Sequence, residues 1–255
     1  MLTRHQKQEF FQNGFLKIPR VIPQLMVDVA LRAINHSVGN TERQDSEPVN
    51  HRVAQLCDEL RDAPCITDLF NRTLVIPLAE SLIGEGNVQP CSGAQLALRF
   101  PSAVGNEAGS PRGHLDGLGS GRNGIAKGVY HRGFTALTVI YLSDVPNVDS
   151  GNFTVWPESH RFFAGLFQRE GHELLANGMP KVDLPHGPIQ VTGQAGDLIL
   201  AHHQVVHTGG PNTSADIRYA TIARLRHVDC AENGYDAYTD LWHEFPGVRE
   251  AIEAA

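Results

Sequence analysis

The hydrophobic patterning changes character at Gly84, and that change constrains the fold more than any other feature of the chain. Downstream, VQPCSGAQLALRF, FTALTVIYLSDV, GNFTVWP, GPIQVTG, GDLILAHH and IRYATIARLRHV are apolar or alternating runs, rich in β-branched residues and separated by Gly, Pro and Asn. Runs of this kind read as strands. Helical material between them is thin, chiefly 161–177, whereas a parallel sheet needs a long crossover for every strand. An antiparallel sandwich or barrel follows, and we expect a mainly β, cupin-like double-stranded β-helix (jelly roll) with flanking helices.

Residues 1–84 read as mainly helical. Thr3 is placed to cap a first helix that carries Phe10 and Phe11 and ends at Gly14, FLKIP is a short strand closed by Pro19, and a second amphipathic helix spans about 23–36. The stretch 39–52 is polar and turn-rich, and short helices broken by Pro64 and Pro77 follow. We expect one domain over 1–255: a helical part (1–84) packed on a jelly-roll core (85–230), with a C-terminal extension (231–255).

A net charge of −7 and no local run of Lys or Arg exclude the basic footprint of a nucleic-acid binder. The N-terminus is polar and no stretch approaches the ~18 apolar residues of a membrane span, so a cytoplasmic protein without membrane contact is expected. Cys57, Cys65, Cys91 and Cys230 form no CxxC pair, which argues for free thiols. GLGSGRNGIAKG lacks the GK[ST] of a phosphate-binding loop. No protein partner is indicated; a small-molecule substrate is.

The chain has thirteen histidines, and two lie in H-x-D pairs, His114-Leu115-Asp116 and His227-Val228-Asp229. Random placement predicts roughly 0.7 such pairs, so spacing alone says little. The chemistry says more. Iron(II) that must bind an organic acid and oxygen suits two imidazoles and a carboxylate on one face, and residues i and i+2 of an extended chain project to the same side. A third ligand is available where GDLILAHH runs into QVVHTGGPN, at His202, His203 or His207, with one of the adjacent pair His202 and His203 expected to point into the sheet and the other outward. Arg218 opens the next strand, and a guanidinium fork suits the carboxylate of a bound acid.

On these residues the chain resembles the phytanoyl-CoA dioxygenase superfamily of iron(II)- and 2-oxoglutarate-dependent dioxygenases. His114-x-Asp116, then LTVIYLSDVPNVDSGNFTVWPESHR, then His207-TGGPN with Arg218 eleven positions on, occur in the family's order, and QEFFQNGFLKIPRVIP resembles its opening helix and strand. Glu158 stands where the family more commonly has glycine. The resemblance implies Fe(II) held by His114, Asp116 and His207, Arg218 pairing with the far carboxylate of 2-oxoglutarate, and consumption of molecular oxygen with release of succinate and carbon dioxide. Retention of Asp116, replaced by a small residue in the halogenating branch, implies hydroxylation or another oxidation rather than halogenation. His227 and Asp229 have no arginine eleven positions beyond a later histidine and read as ordinary strand residues.

Other residues carry weaker expectations. Gln95 and Arg99 share a strand face with Ala97 and could reach 2-oxoglutarate or substrate, as could Thr138; each is equally an ordinary strand residue. Trp156 could wall the site or fill the core. His160 is expected to make a structural hydrogen bond. The loop 117–133, with Arg122, Lys127, Tyr130, His131 and Arg132, follows Asp116 and is expected over the site mouth, its positive charge suiting an acidic or phosphorylated substrate, or else is a solvated loop whose charges bind nothing; residues 173–188 could form a second lid or a surface connection. Two rival functions remain: a non-catalytic 2-oxoglutarate or metal sensor on the same fold, and a cupin-like hydrolase or isomerase without 2-oxoglutarate. The intact ligand set together with Arg218 argues against the first, and the single acid-anchoring arginine at its offset against the second.

Overall fold

A computed structural model describes residues 1–40, 57–102, 109–119 and 125–253. Two antiparallel sheets form its centre. The larger has the order β1-β6-β3-β8-β2, from β1 (Phe15–Ile18), β2 (Gln95–Arg99), β3 (Ala136–Tyr141), β6 (Leu198–His202) and β8 (Arg218–Leu225). The smaller has the order β5-β4-β7, from β4 (Phe153–Val155), β5 (Ile189–Val191) and β7 (His207–Gly209). A bridge between His114 and His207 adds the H-x-D segment beside β7.

Strand alternation assigns each face. Leu137, Val139 and Tyr141 of β3, Ile199 and Ala201 of β6, and Ala97 and Ala220 point between the sheets, where they meet Phe153, Val155 and Val191. Their neighbours Ala136, Ile140, Leu198, Leu200, Leu96, Leu98 and Leu225 point the other way, into a layer of helices. That is why β3 and β6 are buried along their whole length. The helical layer comprises α1 (Arg4–Asn13), α2 (Gln24–Asn40), α3 (Pro64–Asn71) and α4 (Val75–Ile83), with α8 (Pro246–Glu253) packing on α1 and α4. Thr3 forms a full capping box with Gln6 at the start of α1. Most of the polar stretch 39–52 lies outside the described residues.

The helical segment expected over 161–177 divides into α5 (Ser159–Glu170) and a 3₁₀ turn at His172–Asn177. Beyond β8 the chain forms α6 (Cys230–Asn233) and α7 (Asp236–Thr239) before α8. This C-terminal stretch covers the end of β6 and changes the environment of three histidines. His202 and His203 are both buried, so neither points out to water. The His202 ring bonds to the Leu241 carbonyl and lies against Trp242 and Phe245, while His203 faces Phe134 and Tyr238. His160 packs against His202 and bonds to the Phe11 carbonyl, as expected of a structural histidine. The four cysteines are free thiols, and no helix among the described residues is long and apolar enough to cross a membrane.

Candidate metal centre

His114, Asp116 and His207 come together at the open end of the space between the sheets. One nitrogen or oxygen from each lies within 4.8 Å of the others, the only such group of three among the described residues. Paired backbone bonds of 3.0 Å between His114 and His207 hold their segments side by side. The alternation that puts His114 and Asp116 on one side of the extended chain then aims both at the His207 ring. His114 Nε2 is 3.5 Å from Asp116 Oδ1, and His207 Nε2 is 3.8 Å from Asp116 Oδ2.

The His207 ring is oriented by its Nδ1, 2.9 Å from the Val205 carbonyl. A carbonyl only accepts, so Nδ1 carries the proton and Nε2 presents its lone pair to Asp116 and His114. Burial pushes the His207 imidazole down to about 4, which keeps it neutral. For Asp116, burial alone would raise the carboxyl, but the hydrogen bond with His114 and the positive charge of Arg224 hold it well below the usual carboxylate range. Two imidazoles and a carboxylate form a donor set suited to iron(II), with the half-exposed His114 ring marking the open side.

Gly113 and Gly117 frame this segment for different reasons. A Cβ at Gly113 would collide with Val206 Cγ1 and lie 2.7 Å from Trp156 Cζ3, so the close approach of this segment to β7 needs glycine. Gly117 turns the chain with φ +102°, a conformation that side chains resist.

Along β8 the even-numbered residues face the same interior. Arg218 lies at the deep end, its Nε 2.6 Å from the Gly151 carbonyl and its Nη1 2.5 Å from the Ala97 carbonyl. No carboxylate of the described residues forms an ion pair with it, although it is buried. Burial pushes this guanidinium down to about 10, and Arg99, its register partner on β2, adds repulsion. A buried cation so placed is costly unless an anion joins it. Arg99 itself donates to the Gly209 carbonyl, and Gly209 separates the two guanidinium heads. At the shallow end Arg224 binds Asp116 Oδ2 with Nε at 2.9 Å and Nη2 at 2.8 Å. Sequence reasoning missed Arg224, although its offset of six from Arg218 along one strand puts both on one face.

The sequence model of the phytanoyl-CoA dioxygenase (PhyH) family matches residues 10–220. The chain belongs to that family. No curated protein sequence matches it. Among solved structures, HygX from Streptomyces hygroscopicus, with nickel and 2-oxoglutarate bound, is 19% identical with a TM-score of 0.57, covering 89% of this chain and 88% of that one. The α-ketoglutarate-dependent epimerase SnoN from nogalamycin biosynthesis is 19% identical, with a TM-score of 0.58 over 88% of this chain and 80% of its own. The carbocyclase SnoK of the same biosynthesis is 20% identical, with a TM-score of 0.55 over 88% and 83%. These likenesses establish the jelly-roll fold of the 2-oxoglutarate-dependent oxygenases.

In this PhyH-family chain several weaker expectations need correction. Thr138 faces the helical layer with Ala136 and Ile140, and its hydroxyl bonds to the Ala223 carbonyl, so it cannot reach the centre. Tyr130 is buried among Phe167 and Tyr238 and is a core residue. Arg132 is also buried, paired through two nitrogens with Glu244 at 2.5 and 2.9 Å, and anchors the C-terminal stretch. Residues 117–119 and 129–131 bond to each other, so the ends of the expected lid are pinned down. Lys127 is exposed, and Arg122 lies outside the described residues. Trp156 is half-buried against Gly113, and Leu174, Met179, Val182 and Leu184 pack in the same cluster, making 173–188 a docked surface connection. Gln95 is half-buried on the interior face, opposite Ile222. His227 and Asp229 contact each other at 3.9 Å, with no third ligand among the described residues.

Proposed function

We propose that this chain, acting as one domain, is an iron(II)- and 2-oxoglutarate-dependent dioxygenase that hydroxylates a small molecule. In this reading His114, Asp116 and His207 hold the iron, and Arg218 pairs with the far carboxylate of 2-oxoglutarate. The observation that carries it is the convergence of three donors drawn from positions 114–207 with a buried arginine on the same interior that has no carboxylate partner among the described residues. Iron bound there supplies oxygen activation coupled to oxidative decarboxylation of 2-oxoglutarate to succinate and carbon dioxide.

The protein's own part is orientation and exclusion of water. Val205 fixes the His207 tautomer, Arg224 holds one oxygen of Asp116 so that the other is free to ligate, and the apolar lining of Val139, Tyr141, Phe153 and Val155 keeps the interior dry. Arg218 is fixed by two backbone carbonyls, so its position is set before any acid arrives.

Relatives in fold bind small molecules, HygX with hygromycin B and SnoN with nogalamycin RO, which supports a small-molecule substrate here. SnoN is an epimerase and SnoK a carbocyclase, so the outcome of oxidation is the point to test. Succinate release with Fe(II), 2-oxoglutarate and ascorbate tests the reaction class, and loss of turnover in His114→Ala and Arg218→Ala tests the site. Full turnover in either variant would sink the assignment. A product heavier by one oxygen marks hydroxylation, an unchanged mass epimerisation, and loss of two hydrogens ring closure.

A further inference from the structure

A cavity of about 520 Å³, bounded by residues 58–62, 89–95 and 222–226, meets the candidate centre at Arg224, which bonds to Asp116. Its volume is that of a small-molecule site. Gln95, Ile222 and Arg224 form its floor, and these are residues of the same interior face that carries Arg218. The floor therefore connects with Asp116 through the guanidinium of Arg224.

The charges of this cavity are unevenly distributed. Both of its carboxylates, Asp58 and Asp62, belong to the outer turn, where Asp58 lies 3.9 Å from Arg61. Among the described residues the floor holds no acid. Arg224 uses Nε and Nη2 on Asp116, leaving its Nη1 donors without a partner among the described residues. Two positions on, Arg226 lines the same cavity and makes no ion pair among the described residues. The Gln95 amide likewise has no hydrogen bond there. On a chain of net charge −7, Arg224 and Arg226 beside the Gln95 amide are a local exception.

We propose that this cavity is the substrate site and that its substrate is a small hydrophilic molecule bearing an anionic group, a carboxylate or a phosphate, received by Arg224 and Arg226. The inference rests on the dioxygenase reading above for the identity of the neighbouring centre, and it adds the substrate class. A long acyl chain does not fit these walls, since Arg, Asp, Gln and Ser would lose water without gaining partners. An anion seated on Arg224 also draws on the guanidinium that orients Asp116, so substrate occupancy and the geometry of the carboxylate are linked.

The test is calorimetric titration of the chain loaded anaerobically with Fe(II) and saturating 2-oxoglutarate. The probes are glucose 6-phosphate, gluconate, glucosamine and octanoate. One or both anionic sugars should bind at least ~10-fold more tightly than glucosamine and octanoate, a preference of about 1.4 kcal/mol; which of the two binds better separates phosphate from carboxylate. The exposed Arg226→Glu substitution should weaken that binding at least ~10-fold, and Arg226→Gln serves the same purpose if charge reversal unfolds the chain. Tighter or equal binding of glucosamine or octanoate, no binding of either anion, or anion binding indifferent to Arg226 overturns the proposal. Titrating 2-oxoglutarate itself in the same samples keeps the two readings apart. Anion binding without 2-oxoglutarate binding would sink the dioxygenase reading and leave the cavity standing; the reverse result would do the opposite.

Discussion

Acidification tests the packing beneath the site, through His202. Burial under the C-terminal stretch pushes this imidazole down to about 3, against the opposing effect of its hydrogen bond to the Leu241 carbonyl. In the unfolded chain it titrates near its ordinary ~6.5. Its folded pKa is depressed, so between those two values the unfolded state binds a proton that the folded state refuses. Stability is fully present above about pH 6.5 and is lost as pH falls toward 3. At pH 5.5 the loss is RT ln(1 + 10), about 1.4 kcal/mol from His202 alone. Burial lowers His160 and His203 as well, so they act in the same direction. Urea denaturation followed by circular dichroism at pH 7.5 and 5.5 should show the wild type losing about 1.4 kcal/mol more than His202→Gln between the two conditions. The variant is the weaker protein at pH 7.5, having lost the ring's packing, but that offset does not depend on pH and cancels in the comparison. Equal pH sensitivity of the two proteins, to within about 0.5 kcal/mol, would refute a buried neutral His202.

Two further substitutions probe what holds the centre in place. Glu244→Gln leaves Arg132 buried with a neutral partner in place of a carboxylate that also accepts from Thr135 and Asn233; a loss of about 3–5 kcal/mol in urea is expected, with partial recovery when Arg132→Met is added. Gly113→Ala drives a methyl into Val206 and Trp156 and should cost about 1–3 kcal/mol while weakening metal binding, read by titration with Co(II).

The legible part of this fold was the part written in alternation. β2, β3, β4, β5, β6 and β8 each fall inside a run singled out by its β-branched, alternating pattern. β7 lies outside those runs because its three residues, His207–Gly209, are too few for a period to emerge, and its pairing is decided by β4 and by His114. The convergence of His114, Asp116 and His207 was legible because chemistry restricts the donors and spacing restricts their order. The role of Arg132 was hidden for the opposite reason. Its partner Glu244 is 112 residues away in the C-terminal stretch, and a basic residue in a glycine-rich stretch looks solvated until that partner is seen. Thr138 misled in the same way: strand residues of either face look alike in sequence until the helical layer decides which face is outside.

Arg218 and Arg224 bear on the same centre from opposite ends of one strand, and lysine substitutions separate their roles. Each lysine keeps the positive charge, so any change reports the geometry of the guanidinium. Arg224 meets Asp116 Oδ2 with two nitrogens, which fixes the rotation of the carboxylate and hence the direction of Oδ1. A lysine offers one point of contact and leaves that rotation loose. Losing an orienting partner of this kind typically lowers metal affinity about 10–100-fold. Arg224→Lys should therefore shift a Co(II) titration by that much while 2-oxoglutarate, added to saturating metal, binds with affinity close to wild type. Arg218→Lys should do the reverse, since a lysine cannot keep both backbone carbonyls and still offer a fork to a carboxylate. If both variants lose metal and 2-oxoglutarate together, the strand is acting only as scaffold and the division of labour along it is wrong. If Arg224→Lys leaves the metal titration unmoved, the bonds to Asp116 Oδ2 do not orient the ligand, and His114 alone must set the direction of the carboxylate.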